Sequence, residues 1–274
     1  MYEPIQPLDV VALFPKMRSE LLRVLKSLSD EQWQAPTACE GWSVKDVALH
    51  ILGDDMGYLS RHRDKDGIFL EFSSWEELVA KINAHNALWV EATRRLSRRL
   101  LTSLLEFTGP QLNVYFAEQI ESSETVYVSW ASNKPAPMWL QVAREFTEYW
   151  MHHQHICEAV RSTSLKSHEF LYPVLTAFAH ALPRTFQDVS ASQNTLLKFV
   201  IEEVGEYHLV CVADRWELYA HTDLPPTATV ILNPDTAWRL FTKGISGDNA
   251  KQQAVIEGDT MLAEHLFNTV AIIA

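Results

Sequence analysis

The sequence has few of the residues that build disulfide-rich or cysteine-ligated zinc folds. Its three cysteines, Cys39, Cys157 and Cys211, are widely spaced and form no CxxC pair. Neither a disulfide framework nor a zinc site of paired cysteines is therefore indicated. The sequence also lacks an apolar run of about 18 residues, an N-terminal signal pattern and a glycine-rich nucleotide loop. These absences predict a soluble, cytoplasmic protein without a membrane partner.

Basic residues are also scarce. The 274 residues include 23 Lys and Arg against 35 Asp and Glu, which gives a formal net charge of -12. Binding to nucleic acid needs clustered cations that neutralise phosphates, so nucleic acid is not an expected partner. Hydrophobic residues make up 47% of the chain, enough for the core of one large domain or two modest ones.

The first part of the chain has apolar residues at helical spacing. This spacing predicts a four-helix bundle over residues 1–162. Ser43 and Asp46 approximate a capping box at the start of the second helix, and Gly109-Pro110 is expected to end the third. The predicted helices cover residues 8–28, the segment from Ser43 onward, residues 74–105 and residues 137–161. The segment between residues 111 and 137 is expected to be irregular, with strand-like alternation over residues 125–130.

A polar linker over residues 162–167 precedes a second predicted domain, residues 168–274. Its β-branched and aromatic runs predict an antiparallel meander between helices, which is an α+β arrangement. A helix is expected after Asn233, which is a suitable cap, and a last helix is expected near Asp259. The predicted strands cover residues 195–201, 207–213, 215–220 and 228–232, and a helix is predicted over residues 172–186.

One stretch of the fourth helix, residues 145–158, carries candidate metal ligands. Glu148, His152 and His155 are spaced by four and three residues, which places them on one helical face. A carboxylate and an imidazole at this spacing can hold a divalent metal. His50, which lies among apolar residues, is the candidate third ligand. The same pattern is also consistent with a solvated histidine cluster on the helix, and with a buried His50 bonded to a backbone carbonyl.

The segment from Gln32 to His50 resembles the opening signature of the mycothiol-dependent maleylpyruvate isomerase family. Residues 181–184, 233–240 and 256–259 resemble the later part of the same family. The resemblance implies a DinB-like four-helix bundle followed by a small α+β domain. It also implies that His50, Glu148 and His152 hold the metal.

The sequence departs from the family at two places. His155 stands where the family has an aspartate, so it is either a neighbour that orients a ligand or a competing ligand. The stretch Lys243-Gly244-Ile245 stands where the family has a substrate-binding arginine. Arg184 and Arg239 are the remaining candidates for an anionic substrate group, and each also suits a surface ion pair. We expect the second domain to close over the metal and to bring these arginines to the pocket.

The ligand set suits Zn²⁺, and also Ni²⁺, Mn²⁺ or Fe²⁺. The resemblance implies a partner thiol, mycothiol or another low-molecular-weight thiol, that adds to a small electrophilic substrate. An isomerase or a transferase is therefore predicted. A hydrolase that uses Glu145 or His155 as a base is an alternative on the same site. A non-catalytic, metal-stabilised binding module is a further alternative. Its metal site would need a fourth protein ligand, and His155 is the candidate for that ligand.

Overall fold

The computed structural model describes residues 1–67, 71–120, 122, 125–131 and 134–272. Six α-helices lie in the described part of the first 159 residues, and a π-helical turn, Leu59–Arg63, follows the third of them. No helix among the described residues is long and apolar enough to span a membrane. The six α-helices are α1 (Leu13–Ser27), α2 (Asp30–Trp33), α3 (Val44–Tyr58), α4 (Trp75–Thr93), α5 (Arg98–Ile120) and α6 (Met138–Ala159).

Two units can be distinguished. The helical unit comprises the described residues within Asp9–Ser122 and Glu145–Lys166. The sheet unit comprises those within Met1–Leu8, Ser123–Arg144 and Ser167–Ile273. The predicted fold class, a four-helix bundle with a small α+β domain, is confirmed, whereas the boundaries 1–162 and 168–274 stay a prediction.

The start of α3 is fixed by local hydrogen bonds. The Ser43 hydroxyl accepts from the backbone N–H of Asp46, and the Asp46 carboxylate accepts from the backbone N–H of Ser43. This capping box is the one that the sequence predicts, and each such cap contributes about 1 kcal/mol. It places His50 within the regular part of α3.

The bundle consists of α1, α3, α5 and α6. Phe14 of α1 packs on Phe116 of α5, with ring centroids 4.6 Å apart, and on Phe146 of α6, with centroids 5.2 Å apart. Tyr149 of α6 donates to the carboxylate of Asp55 on α3. These aromatic and polar contacts join all four helices around one core.

The predicted third helix begins after Ser74 as expected, but it does not continue as one helix to residue 105. The segment from residue 74 forms α4, which ends at Thr93, and its one fully buried residue is Val90. The third bundle helix is α5, which continues through Gly109-Pro110 to Ile120. A Cβ atom at position 109 would lie 2.9 Å from Cγ of Arg18, so Gly109 permits close packing against α1 rather than ending the helix.

The predicted irregular segment is shorter than expected. Its first residues belong to α5. The expected strand over residues 125–130 is limited to Thr125–Val126, which pairs antiparallel with Ala136–Pro137. Part of this segment lies outside the described residues. Pro137 directly precedes α6, as the sequence predicts.

The sheet unit contains a six-stranded sheet. In chain order its strands are β1 (Tyr2–Pro4), β4 (Leu196–Ile201), β5 (Gly205–Val212), β6 (Arg215–Thr222), β7 (Ala228–Leu232) and β8 (Val255–Gly258), with Thr125–Val126 and Ala136–Pro137 counted as β2 and β3. Their order in the sheet is β1-β6-β5-β4-β7-β8. The helices of this unit are α7 (His168–Ala179), α8 (Leu182–Thr185), α9 (Pro234–Phe241), α10 (Gly247–Gln252) and α11 (Thr260–Glu264).

The predicted meander was right for three strands and wrong for the fourth. Strands β4, β5 and β6 are consecutive and antiparallel, but β7 pairs parallel with β4. The backbone N–H of Thr227 donates to the carbonyl of Leu196 at 2.8 Å and begins this pairing. Both β4 and β7 carry buried apolar side chains. Their pairing makes each of them an interior strand of the sheet, with a hydrogen-bonded neighbour on both sides. The predicted helix start at Asn233 is confirmed, because its side chain accepts from the N–H of Thr236 at 2.9 Å.

Candidate metal centre

Two buried histidines meet between α3 and α6. The Nε2 atoms of His50 and His152 are 3.1 Å apart, and each residue is 7% exposed. Nitrogens bound to one zinc ion at about 2.0–2.1 Å lie about 3.4 Å from each other in a tetrahedral site. The observed separation therefore fits a shared divalent ion, and it also fits a hydrogen bond between two neutral rings.

Burial keeps both imidazoles neutral. It lowers the pKa of His50 to about 4. The pKa of His152 is lowered well below its usual value by burial first, and then by the neighbouring His50 and His155. A neutral imidazole offers the lone pair that a metal needs. At neutral pH neither ring carries the second proton that would leave it without a lone pair.

A carboxylate stands one helical turn from each histidine. Oε2 of Glu148 is 3.9 Å from Nε2 of His152, and Glu148 has a side chain that is 26% exposed. Oδ2 of Asp54 is 3.2 Å from Nε2 of His50. Asp54 was not predicted from the sequence, although the four-residue spacing of His50 and Asp54 is the same signal that identified Glu148 and His152.

A thiol also lies in this region. Sγ of Cys39 is 3.2 Å from Nδ1 of His155. Cys39, His152 and His155 each offer a ligand atom within 4.8 Å of the other two. Burial raises the pKa of the Cys39 thiol, so the free thiol is protonated at neutral pH. No role beyond packing was predicted for Cys39 from the sequence.

The loop before α3 positions Cys39. Its backbone N–H donates to the Thr37 hydroxyl at 3.2 Å, and its carbonyl accepts from the N–H of Trp42 at 3.0 Å. Gly41 has a φ of +76°, a left-handed conformation that glycine adopts without strain. The Trp42 ring lies 5.1 Å from the His50 ring, centroid to centroid. The signature segment therefore places both Cys39 and His50.

His153 takes no part in this cluster, as its helical position predicts. It is fully buried, and its Nε2 lies 2.6 Å from the Ser164 hydroxyl and 3.3 Å from Sγ of Cys157. Glu145, the candidate base, is buried on α6 one turn before Glu148.

The candidate arginines belong to the sheet unit. The Arg184 guanidinium donates to the backbone carbonyl of Ser129. The Arg239 guanidinium lies over the Trp238 ring, 4.6 Å from its centroid. These contacts occupy part of each guanidinium. The anion-binding role of Arg184 and Arg239 stays a prediction, as does closure of the second domain over the metal.

Comparison of the sequence with models of known protein families shows which family the chain belongs to. The model of the mycothiol maleylpyruvate isomerase N-terminal domain matches residues 14–157, which is more than half of the chain. The chain belongs to this family. The match includes His50, Glu148 and His152, and the family resemblance in the sequence signature is confirmed.

Solved structures of the same family are similar to the chain. A crystal structure of a histidine-to-alanine mutant of the mycothiol-dependent maleylpyruvate isomerase matches with 14% identity, over 91% of this chain and 92% of the other, at a TM-score of 0.49. A second crystal structure of that isomerase matches with 15% identity, over 84% of this chain and 86% of the other, at a TM-score of 0.46. A comparison with curated protein sequences found no match.

Proposed function

We propose that this protein is a metal-dependent enzyme that uses a low-molecular-weight thiol to isomerise or modify a small electrophilic substrate. Membership of the mycothiol maleylpyruvate isomerase N-terminal domain family supports this reaction class. The observation that carries the proposal is the 3.1 Å separation of the buried His50 and His152 Nε2 atoms. Two neutral imidazoles at this separation suit a divalent metal.

His50, His152 and Glu148 would hold the ion, and Zn²⁺ suits this donor set best. A bound metal lowers the pKa of a thiol and so supplies a thiolate at neutral pH. The buried rings of His50 and His152 keep their lone pairs free of protons. Glu148 adds a negative charge that offsets the charge of the cation.

A hydrolase on the same site is supported by one observation. Asp54 holds a carboxylate oxygen 3.2 Å from Nε2 of His50, and its side chain is 38% exposed to solvent. A carboxylate that is not a ligand can serve as a general base for water in zinc hydrolases. Thiol dependence of turnover separates the two reactions.

The experiment measures metal content first. His50→Ala, Glu148→Ala and His152→Ala are expected to hold well below the wild-type metal content, and the control His85→Ala, an exposed residue of α4, is expected to match wild type. Unchanged content in all three variants would contradict the proposed ligand set.

The second measurement is turnover. Metal-loaded protein is incubated with electrophilic substrates, including maleylpyruvate, with and without mycothiol, bacillithiol or glutathione. Turnover that needs a thiol is expected. Turnover without thiol that is lost in Glu145→Ala would support the hydrolase instead.

A further inference from the structure

The chain carries its own thiol beside the proposed metal ligands. Cys39 lies in the loop before α3, 116 residues away from His155 on α6, and yet its Sγ is 3.2 Å from Nδ1 of that ring. Its sulfur and one ring nitrogen from each of His152 and His155 lie within 4.8 Å of one another. His50 touches the same His152 ring from α3. Four donors from three segments therefore converge on one region.

The spacing of these donors suits a single ion. Zinc bonds to sulfur at about 2.3 Å and to imidazole nitrogen at about 2.0–2.1 Å, so a sulfur and a nitrogen on one tetrahedral ion are about 3.6 Å apart. The observed 3.2 Å between Cys39 and His155 is within a few tenths of this value. Cys39, His152 and His155 are the donors whose ligand atoms all lie within 4.8 Å of one another, and His50 contacts this cluster through Nε2 of His152.

The His152 ring gives a second observation that points to a ligand. Its residue is 7% exposed, and its Nδ1 has no hydrogen-bond partner among the described residues. An unpaired polar atom in a buried site costs about 1–3 kcal/mol. A ligand bound at Nδ1 would remove that cost, whereas an ion shared with His50 would bind this ring through Nε2.

We propose that Cys39 is a thiolate ligand of the metal and that, with His155, it completes a four-donor site of Cys39, His50, His152 and His155. The inference rests on the proposed function, because it requires that the region holds a divalent metal. On binding, the Cys39 thiol releases its proton to solvent and its sulfur bonds to the ion. A donor set with a thiolate prefers Zn²⁺, Co²⁺ or Cd²⁺ to Mn²⁺.

A Cys39 ligand would regulate the access of an external thiol to the metal. Cys39 occupies the coordination position that an external thiol would take. The four-donor form is therefore a closed resting state, and an external thiol would enter by exchange for the Cys39 sulfur, its proton passing to that sulfur as the sulfur leaves the metal. Because one thiolate replaces another, the charge at the metal does not change. In the open form the ion would be held by His50, His152 and Glu148, the three ligands of the proposed function, together with the external thiol.

The experiment replaces the native metal with Co²⁺ in a buffer that contains a non-thiol reductant. Wild type is expected to show thiolate-to-cobalt charge-transfer absorption in the near ultraviolet. Cys39→Ser is expected to lose this band and to bind Zn²⁺ about 10- to 100-fold more weakly, as loss of a metal contact does. The matched control is Cys211→Ser, a buried cysteine of the sheet unit, which is expected to retain the band and the affinity.

External thiol gives a further readout. Added mycothiol or glutathione is expected to restore a charge-transfer band in cobalt-loaded Cys39→Ser, and at a lower thiol concentration than wild type needs to change its spectrum. Alkylation of the wild-type protein tests the Cys39 ligand without depending on the folding of a variant. Bound Zn²⁺ is expected to slow alkylation of Cys39 about tenfold or more, as measured by peptide mass spectrometry with Cys211 as the reference.

The outcomes separate the two proposals. Cobalt bound without a charge-transfer band, together with equal Zn²⁺ affinity in Cys39→Ser and unprotected Cys39, would overturn the thiolate ligand and leave the three-ligand proposal intact. Wild type that binds neither Co²⁺ nor Zn²⁺ would overturn both.

Discussion

The hydroxyl of Tyr149 donates a hydrogen bond to Oδ1 of Asp55 across 2.8 Å in the interior of the bundle. The same oxygen accepts from Nη2 of Arg18 at 2.7 Å, and Asp55 is fully buried. The Thr108 hydroxyl donates to the other carboxylate oxygen. One carboxylate thus joins α1, α3, α5 and α6. Asp55 follows Asp54, and Tyr149 follows Glu148, so this network fixes the two helices that carry the site.

Removing this carboxylate is expected to destabilise the bundle. Asp55→Ala leaves the Arg18 cation buried without its partner, which lowers the free energy of unfolding by about 3–5 kcal/mol. Tyr149→Phe removes one hydrogen bond to a charged group and costs about 1.5–3 kcal/mol. Urea unfolding monitored by circular dichroism measures both. Asp64→Ala, which removes the exposed partner of Arg63, is the control and should leave the midpoint unchanged. A loss in Asp55→Ala no greater than in this control would contradict the role of the network.

Gly109 and Gly57 make a matched pair of helical glycines. Alanine favours a helix over glycine by about 0.8–1 kcal/mol. At position 109 the new Cβ would lie 2.9 Å from Cγ of Arg18, and Asp55 holds that side chain in place. At position 57 the nearest atom is 3.4 Å away, at the end of the Arg61 side chain. Gly109→Ala is therefore expected to lower the free energy of unfolding by about 1–3 kcal/mol.

Gly57→Ala is expected to keep or raise the free energy of unfolding, measured under the same conditions. If Gly109→Ala proved as stable as Gly57→Ala, close packing with Arg18 would not be the reason for the glycine in α5.

His180 is expected to make the sheet unit sensitive to acid. Burial lowers its pKa from 6.5 to about 4, and its ring packs on Trp139, with centroids 5.5 Å apart. Below pH 6.5 this histidine is protonated in the unfolded chain, whereas in the folded chain it stays neutral down to about pH 4. His180 therefore does not lower the free energy of unfolding above pH 6.5, and it lowers it progressively as the pH drops toward 4. The loss from this residue at pH 5 is about 2 kcal/mol.

The measurement is urea unfolding between pH 7.5 and pH 5. His180→Phe is expected to reduce the loss of stability over this interval relative to wild type. The control is His265→Gln, an exposed histidine of the same unit, which is expected to retain the wild-type slope. Equal slopes for His180→Phe and wild type would show that this ring does not control the acid response.

Asp54 is expected to support metal binding. Its Oδ2 lies 3.2 Å from Nε2 of His50, close enough to bind the ion or a group attached to it. Asp54→Asn keeps the shape but removes the charge, so Zn²⁺ affinity is expected to fall about 10- to 100-fold. Competition with a chromogenic chelator measures the affinity. Asp66→Asn, at an exposed position after α3, is the control, and equal affinities for the two variants would exclude Asp54 from the site.

Several features of the site could be predicted from local sequence because they depend on neighbouring residues. The capping box of Ser43 and Asp46 sets the start of α3 and hence the position of His50. The spacing of Glu148, His152 and His155 fixes them on one side of α6 at any packing of that helix. The same reasoning applied to His50 and Asp54 would have found a further carboxylate.

Other features depend on which elements pack together, and the sequence did not determine them. Gly109-Pro110 is a helix-ending signal by itself, but the Arg18 side chain from α1 fills the space beside Gly109, so α5 continues. The apolar alternation of β7 is the same whether the strand pairs with β6 or with β4, and only the assembled sheet selects β4. The contact between Cys39 and His155 joins residues 116 positions apart. Short-range periodicity thus fixes which side chains share a face, whereas close packing between distant segments decides which faces meet and which donors reach the metal centre.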